Sequence, residues 1–318
     1  IDQGMVIKKH LEIVSKAKRD RVEKLEIENE RLKIRNEKRR KRKNGKELVL
    51  KQIVIPDKFG QSQANKTMRV LRLLFNYYLF KSNSAIENPV RGLSRSRQWF
   101  KVRRRQTYIK DHQLRPWYEA VIAFSNTVAG DALMMLLFTG CREKEVLTLR
   151  WDDVDIKDKT FTIREEITKN HKAHTLPMSS VIEDIFRERL NLCENSFVFP
   201  GHGADGHMKE LRRAIEFVIK TSGVQFCLHD LRRTFSGIAE QEVSYAVLKR
   251  LLNHYTGNDV TAGYLVIPTE KLREPMQKVS DRIMKAIFEP EDPEQASKQE
   301  EQHEEKGKLI HPRRRGKK

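Results

Sequence analysis

LHDLRRTFSGIAEQEVSYAVLKRLLNHYTGNDVTAGY, residues 228–264, is the stretch around which the rest of the chain is organised. It sets His229 and Arg232 one helical turn apart, places His254 after a second apolar-periodic segment, and ends on Tyr264. Side chains three apart on a helix share a face, so an imidazole and a guanidinium are presented to one ligand. That pair suits a phosphate needing both charge neutralisation and proton transfer. Upstream, Arg142 offers a second guanidinium and Lys169 an ammonium in a hairpin turn. The pattern points to phosphate chemistry.

Charge points the same way. In 318 residues, 63 Lys and Arg face 44 Asp and Glu, a formal net charge of +19. A basic excess of this size predicts a polyanionic partner, of which nucleic acid is the commonest. No long apolar run or lipidation signal predicts a membrane role. The length allows two domains, each with its own core. Cys141, Cys193 and Cys227 are odd in number and widely spaced. Neither a disulfide framework nor a zinc site is expected from them; each reads as a small core residue in a reducing compartment. No metal or cofactor is expected. The chain opens on Ile1 within a helical pattern, and an N-terminus further upstream is expected.

Taken in order, residues 1–14 predict a short amphipathic helix with Met5, Val6, Leu11 and Ile13 as its apolar positions. Residues 15–48 are dominated by Lys, Arg and Glu, predicting an exposed helix that ends before Asn44-Gly45. The basic run Lys38–Lys46 is a candidate phosphate-binding strip. GQSQANKTMRVLRLLFNYYLF, from Gly60, carries Ala64, Met68, Leu71, Leu74, Phe75 and Tyr78 at helical spacing. Lys66, Arg69 and Arg72 fall on its other side. After Asn88-Pro89 comes RGLSRSRQWFKVRRRQT, read as a basic linker along a phosphate backbone through Arg97, Lys101, Arg103 and Arg104.

A second domain opens at Thr107. Helices are predicted at Leu114–Val128, with Trp117, Val121, Ile122 and Phe124 inward, and at Asp131–Phe138, closed by Gly140. Met134, Met135, Leu136 and Leu137 are core. Arg142 starts a further helix, where N–H groups favour an anion. Val154–Ile156, Thr160–Glu165 and Thr175–Met178 alternate as three antiparallel strands. Helices follow at Ser180–Leu190, Met208–Thr221, His229–Glu240, Tyr245–Leu252 and Glu270–Phe288, and from Glu289 the tail is too polar to fold. The predicted class is mainly α with a small antiparallel β-sheet. His10, His112, His171, His174, His202 and His207 are expected to be exposed or locally bonded.

The segments TGCREKEVLTLRW, ITKNHKAHTLPMS, LHDLRRTF, LLNH and DVTAGY, in that order, resemble the tyrosine recombinases, or phage-type integrases. The resemblance implies a DNA breaking-rejoining fold over residues 107–288. It makes Tyr264 the nucleophile, Arg142 and Arg232 the phosphate clamp, Lys169 the hairpin lysine, His229 the acid/base residue, His254 a supporting residue and Glu145 a buttress. Lys172 lies close enough to Lys169 to compete for its role, and the place in the block favours Lys169. The loop YTGNDVTAG lacks the Ser-rich wording common in the family.

SQANKTMRVLRLLFNYY and ENPVRGL resemble later helices of the helical core-binding domain of integrases from phages and genomic islands. The implied layout is a core-type DNA-binding domain at 1–106, with a charged helical insertion at about 15–57 and a basic linker at about 91–106. A catalytic domain at 107–288 and a disordered tail at 289–318 complete it. The implied activity is metal-independent, site-specific recombination through a 3′-phosphotyrosine, integrating or excising a phage or other mobile element. The implied setting is a homotetramer clamped on double-stranded DNA, passing through a Holliday junction in a bacterial cytoplasm, with an accessory bending or directionality factor. The helix Glu270–Phe288 would dock on a neighbouring protomer. The rivals are a Xer-like dimer resolvase, a type IB topoisomerase and a catalytically silent DNA-binding protein of recombinase fold.

Overall fold

The computed structural model describes residues 2–41, 55–83, 85–103, 105–193, 195–254 and 267–289, with the side chains of 38–41 excepted. The basic strip 38–46, Arg104, Tyr264 and the tail from 290 onward lie outside the described side chains or residues. The chain divides into two compact units, Ile1–Arg105 and Gln106–Lys318.

The N-terminal unit is built on α1 (Gln3–Lys41), α2 (Gln61–Lys81) and α3 (Arg91–Arg95). The two predicted N-terminal helices are one. No Gly or Pro interrupts residues 5–44, and i,i+3 ion pairs such as Lys9–Glu12 and Glu30–Lys33 support the exposed turns. Val6 packs with Met68, Val90 and Leu93, flanked by Ile7, Ile13, Leu71, Phe75 and Trp99, whereas Met5 and Leu11 are exposed. Leu74 and Tyr78 also turn outward. They share the far side of α2 with Val70, Leu73 and Tyr77, all exposed, because the packed side is already filled by Ala64, Met68, Leu71 and Phe75.

His10 is buried rather than exposed. Its Nε2 lies 3.0 Å from Asn65 Oδ1, and the Asn65 amide donates to the Phe100 carbonyl at 2.9 Å. Burial holds the His10 pKa below its ordinary value, more than the Asn65 bond raises it. One buried imidazole thus ties α1 to α2 and to the segment after α3.

The C-terminal unit contains α4 (Asp111–Ile122), α5 (Thr127–Thr139), α6 (Glu143–Leu147), α7 (Ser180–Asn191), α8 (Arg212–Ser222), α9 (Leu228–Glu242), α10 (Tyr245–Leu251) and α11 (Glu270–Phe288). Strands β1 (Val154–Asp155), β2 (Thr160–Ile163) and β3 (His174–Pro177) form an antiparallel sheet in the order β1-β2-β3, with Phe161 opposite Leu176. The unit is mainly helical with a small sheet.

The apolar α5 is buried nearly all round and sits among α4, α7, α9 and α11. It starts earlier than its hydropathy suggests because the Asn126 side chain caps it, accepting from Ala129 N–H at 3.1 Å. That cap also ends α4 early and leaves Ile122 exposed. Helix α6 is only five residues long, since the chain leaves it to pair Arg150 with Phe197. Helix α11 packs one face within its own unit, where Leu272, Met276, Val279, Ile283, Ala286 and Ile287 are buried. Cys141 is buried, Cys227 half-buried and Cys193 exposed, so only the first meets the expectation of a core residue.

Gly140 ends α5 with φ 64, and a Cβ there would come within 2.5 Å of Phe235 Cδ1. Gly140→Ala is therefore expected to add overpacking of about 1–3 kcal/mol to the left-handed backbone cost of about 1–2 kcal/mol. Urea unfolding should show a lowered midpoint with an unchanged slope.

Candidate active site

The site grows from the turn after α5. Arg142 stands at the N-cap of α6, and Glu145, one turn on, takes both ends of it. The Glu145 carboxylate accepts Arg142 N–H at 2.7 Å and Arg142 Nη1–H at 2.6 Å. Glu145 is buried, while the Arg142 side chain is one-third exposed. The anion at this helix start is thus the protein's own carboxylate. Its effect is to aim the Arg142 guanidinium and leave the rest of the fork accessible.

Arg232 comes from the first turns of α9 and is buried. Its Nη1 donates to the Gly140 carbonyl, and its Nη2 donates to the Leu252 carbonyl at 2.6 Å and reaches His254 Nε2 at 2.9 Å. A guanidinium only donates, so His254 Nε2 is the acceptor and the ring is neutral with its proton on Nδ1. Burial, then the charges of Arg232 and Arg142, hold the His254 pKa below its ordinary value. Three of five guanidinium N–H groups are used among the described residues, which leaves two for an anion.

His229 lies on the same turn of α9 and is exposed. Partial burial, then Arg233 and Arg232, depress its pKa, with Arg142 adding to the effect. The turn itself is set by Asp230, whose carboxylate accepts from Cys227 N–H at 2.9 Å, Thr107 Oγ1 at 2.8 Å and Arg233 Nη1 at 3.0 Å. Thr234 Oγ1 accepts Ile109 N–H at 2.8 Å, which stitches the start of this unit to α9.

Lys169 and Lys172 are exposed in the turn joining β2 to β3. Thr168 is buried between them and the strand, donating to the Lys172 carbonyl at 2.9 Å. Arg142, Glu145, His229, Arg232 and His254 are brought together, and the lysine turn is anchored beside them through Asn170 and Asn253. Lys66, Arg69, Arg72, Arg97, Lys101 and Arg103 are all exposed in the N-terminal unit, with the Arg69 guanidinium 6.0 Å from the Trp99 ring centre.

A sequence model of the phage integrase family matches residues 108–267, half of the chain. The chain belongs to the phage integrase family. Tyr264 falls inside the matched stretch. Prophage integrase IntF of Escherichia coli K12 is 28% identical over 180 residues, covering 55% of this chain and 39% of the relative. The integrase of Shigella phage Sf6 is 26% identical over 236 residues, covering 71% and 60%. This family member therefore spans less than two thirds of the length of either relative.

Among solved structures, the fold is similar to a lambda integrase dimer bound to a core site, with TM-score 0.51, 14% identity, and coverage of 63% of this chain and 74% of that one. It is also similar to the Tn1549 transposon integrase in complex with a circular intermediate DNA, with TM-score 0.52, 14% identity, and coverage of 68% and 79%.

Several contributors to this integrase-family site escaped the sequence reading: Asp230, Thr107, Thr234, Asn170, Asn253 and the Gly140 and Leu252 carbonyls. Asp230 alone had a local signal, an acidic residue in the first turn of a helix. His174 is corrected outright. It is buried on β3, with Nε2 3.2 Å from the Leu251 carbonyl and Nδ1 without a partner among the described residues. A proton on Nδ1 would be buried, and its pKa is pushed down to about 4 by desolvation, against the opposing pull of the Leu251 bond.

Because the folded pKa of His174 lies below the unfolded value, its contribution is complete above about pH 6.5. It is lost as pH falls toward about 4, where the unfolded chain takes a proton that the folded chain refuses. Equilibrium unfolding between pH 7 and pH 4 should show a loss from this group of up to about 3 kcal/mol. His174→Gln, which keeps a donor for Leu251, is expected to flatten that slope; parallel profiles would contradict the assignment.

Proposed function

We propose that this chain catalyses site-specific DNA recombination as the integrase of a phage or other mobile element, using Tyr264 as nucleophile. The observation that carries the reading is the convergence of two guanidiniums and two neutral imidazoles at the end of α10, just ahead of the segment that contains Tyr264.

In this reading Arg142 and Arg232 bind the non-bridging oxygens of one phosphodiester. They neutralise charge that grows as the phosphorus becomes five-coordinate. The Tyr264 phenol oxygen attacks, a P–O bond to tyrosine forms, and the P–O5′ bond breaks. The phenol proton passes to His229, which is unprotonated near pH 7 because its pKa is depressed. The leaving 5′ oxygen takes a proton from Lys169, an ammonium on an exposed turn. The products are a 3′-phosphotyrosine and a 5′-hydroxyl. The new ester retains the bond energy, so a hydroxyl from another strand reverses the step and joins new partners.

The N-terminal unit is proposed as the core-type DNA-binding domain, with Lys66, Arg69, Arg72, Arg97, Lys101, Arg103 and Arg104 on the phosphate backbone and the charged stretch at about 15–57 as an insertion. The assembly proposed is a tetramer on two duplexes in the bacterial cytoplasm, aided by a bending or directionality factor.

Duplexes spanning the junctions of the encoding element with its host DNA, nicked at successive positions to trap the intermediate, test the reading. A covalent protein–DNA adduct is expected and should vanish in Tyr264→Phe. Arg232→Ala should slow its formation by about 10²–10³-fold, corresponding to about 2.7–4 kcal/mol. The acidic limb of the rate profile should lie below the ordinary histidine pKa. Salt-sensitive binding without any adduct would favour a silent DNA-binding protein instead.

A further inference from the structure

The four residues from Leu251 to His254, at the end of α10, make long-range connections to three others. The Leu251 carbonyl accepts from His174 on β3. The Leu252 carbonyl accepts from Arg232 on α9. Asn253 meets Asn170 in the lysine turn, with Asn170 Nδ2 donating to Asn253 Oδ1 at 2.8 Å and Asn253 Nδ2 reaching Asn170 Oδ1 at 3.4 Å. His254 accepts from Arg232. Both asparagines are half-buried.

The backbone here is fixed independently of those side chains. Asn253 N–H donates to the Arg250 carbonyl at 3.2 Å and His254 N–H to the Lys249 carbonyl at 2.9 Å. Asn253 has φ 50, in the left-handed region that asparagine and glycine tolerate best. That conformation swings its amide toward the sheet while His254 goes to Arg232. Lys169 in turn sits between buried Thr168 and the tethered Asn170. Its backbone is held on both sides while its side chain stays exposed.

We propose that Asn170 and Asn253 are positioning residues, a reciprocal amide clasp that fixes the Lys169 turn against the junction carrying His254 and the Arg232 acceptor. The clasp sets where the lysine ammonium stands relative to the phosphate that the arginines hold. This rests on the recombinase reading above, because it assigns the clasp to proton delivery at the leaving oxygen.

Asn253→Gly keeps the left-handed backbone and removes the amide, and Asn170→Ala removes the partner. Two measurements on the 318-residue chain decide the proposal. First, hydrogen exchange across residues 164–173 should rise in both variants while α5 and α9 stay protected. Second, adduct formation is compared on nicked junction duplexes carrying oxygen or sulfur as the 5′-bridging atom. Sulfur leaves as a thiolate when the P–S bond breaks and needs no proton. With oxygen the variants should be about ten- to a hundredfold slower than wild type, and with sulfur within about threefold. The double variant should be no slower than either single one, as expected of two residues acting as one unit.

Equal losses with both bridging atoms, or unchanged exchange over 164–173, would overturn the proposal. A wild-type chain that forms no adduct with either duplex would overturn the recombinase reading and the proton-delivery role together. Wild-type cleavage with equal variant losses would overturn the clasp's role alone.

Discussion

A buried guanidinium needs acceptors, and in this fold Arg232 dictates where they stand. Removing a charge from water costs several kcal/mol unless it is hydrogen-bonded. The chain meets that need with two backbone carbonyls, Gly140 at the end of α5 and Leu252 at the end of α10, plus the lone pair of His254. Carbonyls at helix ends are free to accept because no later turn uses them. The ends of two helices are thereby drawn to one side chain of a third. The same junctions carry Arg142, just after Gly140, and His254, just after Leu252. Satisfying one charge assembles the neighbours that make it useful.

Glu145 does the complementary work for Arg142. Its carboxylate holds both the N–H and the guanidinium of the same residue, so that beside the buried Arg232 stands an Arg142 one-third exposed. An enclosed arginine provides fixed geometry, and a partly exposed one can meet an incoming anion without first being desolvated. Cys141 lies between these groups, buried, with its thiol pushed up to about 12 mainly by that burial; it acts as packing.

Much of the architecture was legible because its signals are local. The span of α11, the Gly140 stop and the antiparallel order of three strands follow from periodicity and turn residues. What failed was long-range. Nothing near His10 in sequence reveals Asn65, and nothing near His174 reveals Leu251, so both imidazoles looked like surface residues. Leu74 and Tyr78 were misplaced because α2 has apolar residues on two sides and spacing alone does not say which is covered. The break assigned after Val14 came from a change in composition that the helix ignores, since no breaker residue is present. The ordered blocks around Arg142, Lys169, Arg232 and His254 were readable as a resemblance. The fine wiring through Asp230, Thr107 and the Asn170–Asn253 pair depends on residues far apart in the chain.

Helix α11 has a cost attached to its burial. Its six apolar core side chains together contribute on the order of 10 kcal/mol to holding it in place. Lending this helix to an adjoining copy would forfeit that contribution until the same side chains were buried against the neighbour. Reversible association among copies is therefore cheaper through surfaces that the folded monomer already shows to water.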